Sequence, residues 1–172
     1  AYSSSSRLWF TLSAGILNEV YYPTIDRPQI RDLQYLITDG DSFFHDERRH
    51  LDANIRELSH HALGYEITSV EREGRYRIIK EVIADPHHAC VLIHTRLEAE
   101  EPLLSKLRLF SLLAPHLEVG GSGNSGRSVD VAGRSIQVAH KGDTWLAIGA
   151  SIPFVRRSCG YVGISDGWTD LA

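Results

Sequence analysis

The sequence predicts an all-β fold, an antiparallel β-sandwich. Three observations lead there. Apolar residues recur at every second position along most of the chain, turn-forming Gly, Asp and Asn separate these runs, and no apolar stripe at helical spacing extends far. At 172 residues the length fits a single domain spanning 1–172 with a substantial core.

Taken in order, Leu8, Phe10 and Leu12 alternate with Trp9 and Thr11 as a first strand. Leu33 to Ile37 read as another, closed by Asp39-Gly40-Asp41. That triplet resembles the opening of a calcium loop, but the glycine sits between the acids and His50 stands where the loop needs Glu, so a hairpin turn is expected. Residues 45–50 (His-Asp-Glu-Arg-Arg-His) read as a solvated, self-paired turn, and 54–63 fit a short helix or a strand equally. Arg75 to Ile83 is a strand whose alternation slips at Ile78-Ile79, which suggests a bulge. Val91, Ile93, Thr95 and Leu97 share a face, and Leu107, Leu109 and Leu113 share another. Ile136 and Val138 form a hairpin with Trp145 and Ala147, its turn supplied by Gly142 and Asp143. The Gly- and Ser-rich residues 120–126 read as a mobile loop. The total is roughly nine to eleven strands, as an antiparallel sandwich requires.

Composition narrows function more than it assigns it. With 22 acidic and 18 basic residues the chain carries a formal charge of -4, unlike a basic nucleic-acid binder. No apolar run approaches the ~20 residues of a bilayer span. The sequence holds no Met, and the first residues lack the basic and apolar regions of a signal peptide, so an excised domain is expected. Of the two Cys, Cys90 sits in an apolar run and reads as a small buried hydrophobe. Whether it pairs with Cys159 stays open. The adjacent pairs His60-His61 and His87-His88 would point to opposite sides of a strand, so neither chelates one ion, and no metal site is assigned.

No self-sufficient catalytic signature emerges. Glycoside hydrolysis needs two carboxyl groups flanking one bond. Glu19, Asp26, Asp32, Glu47 and Asp85 are available, but their spacing singles out no pair. The aromatic-rich start is more suggestive. Trp9, Tyr21 and Tyr22 could lie against the apolar faces of sugar rings, with Asn18, Glu19, Arg31 and Asp32 to bind hydroxyls.

Several segments resemble a known family. They are Ser6-Arg7-Leu8-Trp9-Phe10-Thr11-Leu12-Ser13, Gly15-Ile16-Leu17-Asn18-Glu19-Val20-Tyr21-Tyr22-Pro23 and Arg31-Asp32-Leu33-Gln34-Tyr35-Leu36-Ile37-Thr38-Asp39-Gly40. Asp85-Pro86, Cys159-Gly160-Tyr161-Val162-Gly163 and Ser165-Asp166-Gly167-Trp168 extend the likeness. Together they resemble the N-terminal domain of bacterial glucoamylases and glucodextranases, glycoside hydrolase family fifteen. The resemblance implies an all-β supersandwich of mutarotase-like type, truncated here, whose unpaired edges would favour self-association. It implies a partner in the same polypeptide, an (α/α)6 barrel carrying the catalytic glutamates for inverting release of glucose from α-glucan ends. It implies no cofactor and no catalytic residue in this chain, and a parent acting on polymeric glucans that are commonly degraded outside the cell. Trp9, Asn18, Glu19, Tyr21, Tyr22, Arg31 and Asp32 become candidates for a surface facing barrel or carbohydrate. The alternatives are a free-standing carbohydrate-binding module and a mutarotase-like epimerase using His and Glu.

Overall fold

The computed structural model describes residues 6–61 and 63–171. Ala62, inside the 54–63 segment, lies outside the described residues. Among the described residues, twelve strands and three short helices follow one another. Sheet A holds β1 (Trp9–Ser13), β2 (Ile16–Tyr21), β3 (Ile30–Thr38), β4 (Phe44–Asp46) and β9 (Arg108–Pro115). Sheet B is the meander β5 (Leu51–Glu57), β6 (Gly64–Glu71), β7 (Tyr76–Ala84), β8 (Val91–Ala99). Sheet C is a second meander, β10 (Ser125–Val131), β11 (Arg134–Lys141), β12 (Thr144–Ile148). The helices are single turns: α1 (Glu47–His50), α2 (Glu101–Leu104) and α3 (Gly167–Leu171).

Sheets A and B face each other. Phe10, Leu17 and Ile30 of sheet A pack with Ile67, Val82 and Ala84 of sheet B, and Leu146 of sheet C packs against the same cluster. Ile37, Leu51, Tyr76 and Ile78 continue the core at the other end. Two bulges shape sheet A. Between the pairs Phe10↔Val20 and Leu12↔Leu17, β1 advances two residues while β2 moves three, so Asn18 and Glu19 stand opposite Thr11. Between Ile30↔Pro115 and Asp32↔Ala114, β3 moves two residues and β9 one. Leu17 and Val20, and likewise Ile30 and Leu33, therefore reach one core although each pair is three residues apart.

The turns follow their chemistry. Ala14 and Gly15 both have positive φ (48° and 80°), as a type I′ hairpin turn between β1 and β2 demands. Asp39 accepts from the Asp41, Ser42 and Phe43 amides at 3.0, 2.8 and 3.3 Å, which closes the expected hairpin from β3 to β4. Those bonds, led by the one from the Ser42 hydroxyl, hold its carboxyl well below the usual range. Lys141↔Thr144 flank the turn expected at Gly142 and Asp143.

Four readings need correction. The 54–63 ambiguity resolves in part: 54–57 belong to β5, and no helix follows among the described residues. In the low-complexity run 120–126, residues 120–124 are a pinned turn, with the Asn124 amide donating to the Gly120 and Gly121 carbonyls and accepting from Leu117 N–H, and Ser125 and Gly126 open β10. Cys90 is only half-buried and precedes β8. Its carbonyl accepts from Asp85 N–H, and both Cys are free thiols. Strand β7 carries no bulge: its register with β6 and β8 is unbroken, and the slip at Ile78-Ile79 has another cause.

Candidate functional site

That cause is Lys80. Tyr76, Ile78, Lys80, Val82 and Ala84 form the inward face of β7, so a charged residue takes a core position. Its side chain is buried against Glu47, which is 0% exposed. The Lys80 ammonium lies 2.5 Å from Glu47 Oε1 and donates to the Gly15 carbonyl at 2.6 Å. It also stands 5.2 Å from the centre of the Tyr35 ring. Glu47 accepts from Ser69 Oγ and from Tyr35 N–H, both at 3.1 Å. Burial pulls the Lys80 amine down and the neighbouring Glu47 carboxylate opposes that pull. A small cleft beside the pair is lined by Leu17, Leu33, Ile67 and Ile93.

Glu47 reaches this position because the 45–50 segment is not solvated throughout: Arg48 and Arg49 face water, but Asp46 and Glu47 turn inward. Asp46 is buried, pairs with Leu36 at the end of β4 and caps α1 by accepting from Arg49 N–H at 2.7 Å. His45 stacks on His50 with ring centres 4.8 Å apart and hydrogen-bonds the Tyr76 hydroxyl through Nδ1 at 2.9 Å. Burial, then the charges of His50 and Arg75, push the His45 imidazole below its ordinary value, against Glu71 and Glu73. Within 45–50, Asp46 and Glu47 are thus buried, His45 and His50 half-buried, and Arg48 and Arg49 exposed.

The residues singled out for sugar or barrel contact are only partly gathered. Trp9 faces Tyr21 directly across β1 and β2. The Tyr21 hydroxyl donates to Glu19, whose own amide donates to Thr11 Oγ1 at 3.2 Å. That bond, ahead of burial, raises the Tyr21 phenol above its usual value. Trp9, Glu19 and Tyr21 therefore form one patch, aimed by the β2 bulge. Asn18 belongs elsewhere and donates to Ser13 Oγ at 2.6 Å. Tyr22 projects from the following loop, 44% exposed. Arg31 and Asp32 pair with each other at 2.8 Å at the β3 bulge. Asp32 Oδ1 and Gln34 Oε1 are buried without a hydrogen-bond partner, two residues apart on β3.

The five acids considered for hydrolysis are all held by neighbours. Glu19 holds Tyr21, Asp32 holds Arg31, and Glu47 holds Lys80. Asp26 bonds Thr24, and Asp85 accepts from the His87 and His88 amides at 2.7 and 2.8 Å. Among the described residues no group of three or more His, Cys, Asp and Glu gathers as metal ligands, and no helix is long and apolar enough to cross a membrane.

A family model described as "Glucodextranase, domain N" matches residues 1–172. The chain belongs to the glucodextranase domain N family. It is 31% identical over 166 residues to a glucoamylase of Clostridium sp. (strain G0005), which covers 96% of this chain and 24% of that protein. It also superposes on the crystal structure of a bacterial glucoamylase complexed with acarbose, with a TM-score of 0.93 and 30% identity, over 97% of this chain and 25% of that one. This member of the domain N family thus spans about a quarter of the length of the relatives it matches. The all-β sandwich expected from period-two patterning is the domain N fold.

Proposed function

We propose that this chain is the non-catalytic N-terminal sandwich of an exo-acting α-glucan glycosidase of glucoamylase or glucodextranase type. It supports a catalytic (α/α)6 barrel in the same polypeptide, with no cofactor of its own. The observation that carries this reading is the end-to-end match to one quarter of a bacterial glucoamylase. The engagement of each candidate acid in a hydrogen bond or ion pair supports it, since a general acid and base must face a bond to be cleaved. Of the candidates Trp9, Asn18, Glu19, Tyr21, Tyr22, Arg31 and Asp32, the patch of Trp9, Glu19 and Tyr21 is the surface assigned to barrel or carbohydrate. The isolated chain is expected to release no glucose from maltodextrin or dextran, while the full-length parent releases it. Release by the isolated chain that disappears in Glu19→Gln would overturn the reading.

One observation favours a second role, carbohydrate binding. Trp145 keeps 55% of its surface exposed on the open face of sheet C, stacked on His140 at 4.5 Å with the Arg127 guanidinium 5.8 Å from its ring centre. An aromatic surface ringed by donors suits a pyranose. Saturable quenching of Trp fluorescence by maltoheptaose, lost in Trp145→Ala, is the outcome that supports it.

A further inference from the structure

One segment reverses the usual distribution of polar and apolar groups. Between β12 and α3, residues 149–166 run without helix or strand. The segment is a strap fastened by polar contacts. Gln137 Nε2 of β11 donates to the Ser158 carbonyl at 3.0 Å, and Cys159 Sγ donates to Gln137 Oε1 at 3.3 Å. Cys159 also lies against Gly126, where an added Cβ would stand 3.4 Å from its own. Arg156 pairs with Asp170 at 2.6 Å. The far end is anchored by α3, whose Trp168 sets its ring edge-on to Phe44 at 5.4 Å beneath the Arg49 guanidinium. Phe154 is half-buried, but the other large apolar side chains of the strap have no such place. Ile152, Val155, Tyr161, Val162 and Ile164 each keep at least 73% of their surface exposed, more than any other large apolar residue described.

Water disfavours that arrangement, and a concentration of large exposed apolar side chains in one short segment marks a contact site. We propose that strap residues 152–164 form the seat for the part of the parent polypeptide that lies outside this chain. The inference rests on the domain reading above and deepens it by naming the docking surface. The chain accounts for only 24% of the Clostridium glucoamylase, so a parent of that kind brings a large folded partner on the same polypeptide. Covalent linkage supplies that partner at high effective concentration, so an interface smaller than the standard ~800 Å² per side suffices. Five large aliphatic and aromatic groups this exposed within thirteen residues suit a protein surface, with Arg156, Arg157 and Ser158 between them as a polar rim. Pro153 interrupts the strap, so it offers no continuous strand edge to a second copy.

The test is hydroxyl-radical footprinting of this chain and of the full-length parent, read at Val155, Tyr161 and Ile164 by mass spectrometry, with glucose release by the parent measured alongside. Heavy labelling is expected in the chain alone and loss of most of it in the parent. Labelling of Ile164 should return in a parent carrying Val155→Asp with Tyr161→Asp, while the same variant of the chain keeps its circular dichroism. Equal labelling in chain and active parent overturns the docking surface and leaves the domain reading intact. Protection in the chain alone, appearing with rising protein concentration or with added maltoheptaose, also overturns it, in favour of a second copy or a glucan. A parent that releases no glucose overturns the domain reading instead.

Discussion

The paired sheets and the C-terminal strap solve opposite problems. Between sheets A and B the apolar side chains are inside, and the charges taken in with them, Glu47 and Lys80, satisfy each other. Along the strap Ser158 and Cys159 bond Gln137 and Arg156 pairs with Asp170 at the surface, while five large apolar side chains face out. The first region is closed by residues the chain itself supplies. The second is fastened to the chain but has its apolar side chains turned away from it. Stability and interaction are thereby separated along the sequence, and mutations should sort accordingly.

The largest effect is expected where the closed region is broken at its charge. Lys80→Met leaves the Glu47 carboxylate buried without a cation and should cost about 3–5 kcal/mol in denaturant unfolding. Adding Glu47→Leu should recover much of that loss, because two matched apolar side chains replace two ions. A single variant as stable as the parent sequence would erase the distinction between the regions. Gly15→Ala comes next. Gly15 has φ +80°, and a Cβ there would stand 2.9 Å from both Ala53 Cβ and Ser69 Oγ. A loss of about 1–3 kcal/mol is expected from thermal melts.

A smaller, pH-dependent effect sits at His45. Its folded value is lowered, first by burial, from an unfolded 6.5. In the window between the two the unfolded chain binds more protons than the folded one, so stability rises with pH. The contribution is complete above pH 6.5 and is lost as pH falls through the lowered folded value. Glu71, lowered from 4.5 chiefly by its bond to Arg75, begins to act in the same direction only at lower pH. His45→Gln should therefore flatten the melting temperature between pH 7.5 and pH 5 while leaving the steeper acid loss. The smallest effect belongs to the strap: Val155→Ser should change the stability of the isolated chain by about 0.5 kcal/mol or less. A loss comparable to that at Lys80 would show that the strap belongs to the core.

The regular strands were legible because alternation is a local signal. Val91 to Leu97 and the hairpin around Gly142 needed only a few neighbouring residues to declare themselves. The buried ion pair was not legible, because Glu47 and Lys80 meet only after two sheets assemble. Its trace was the broken alternation at Ile78-Ile79-Lys80, which reads as a bulge until Lys80 is given an inward position. The true bulges left a different trace: core residues three apart, Leu17 with Val20 and Ile30 with Leu33. At the candidate site, aromatic density pointed to Trp9 and Tyr21, but only the register set them opposite each other and turned Asn18 toward Ser13. For the strap, Pro153, Gly160 and Gly163 marked an irregular segment, but nothing local told that Ile152, Val155, Tyr161, Val162 and Ile164 would stay exposed.

The bond from Lys80 to the Gly15 carbonyl spans 65 positions. A ribosome releases the first hairpin long before it reaches β7. Until then the carbonyl at the tip of that hairpin and the carboxylate of Glu47 have no ammonium to close on, and the apolar side of sheet A has no opposite wall. Closure of that hairpin tip is thus tied to a residue in the middle of the chain, and completion of sheet A to β9 beyond it. A nascent segment ending before Lys80 holds one buried-type charge too many to finish folding. The clamp joins the tip of the first hairpin, the turn at Glu47 and the sheet B strand β7, so it forms only when both sheets are present.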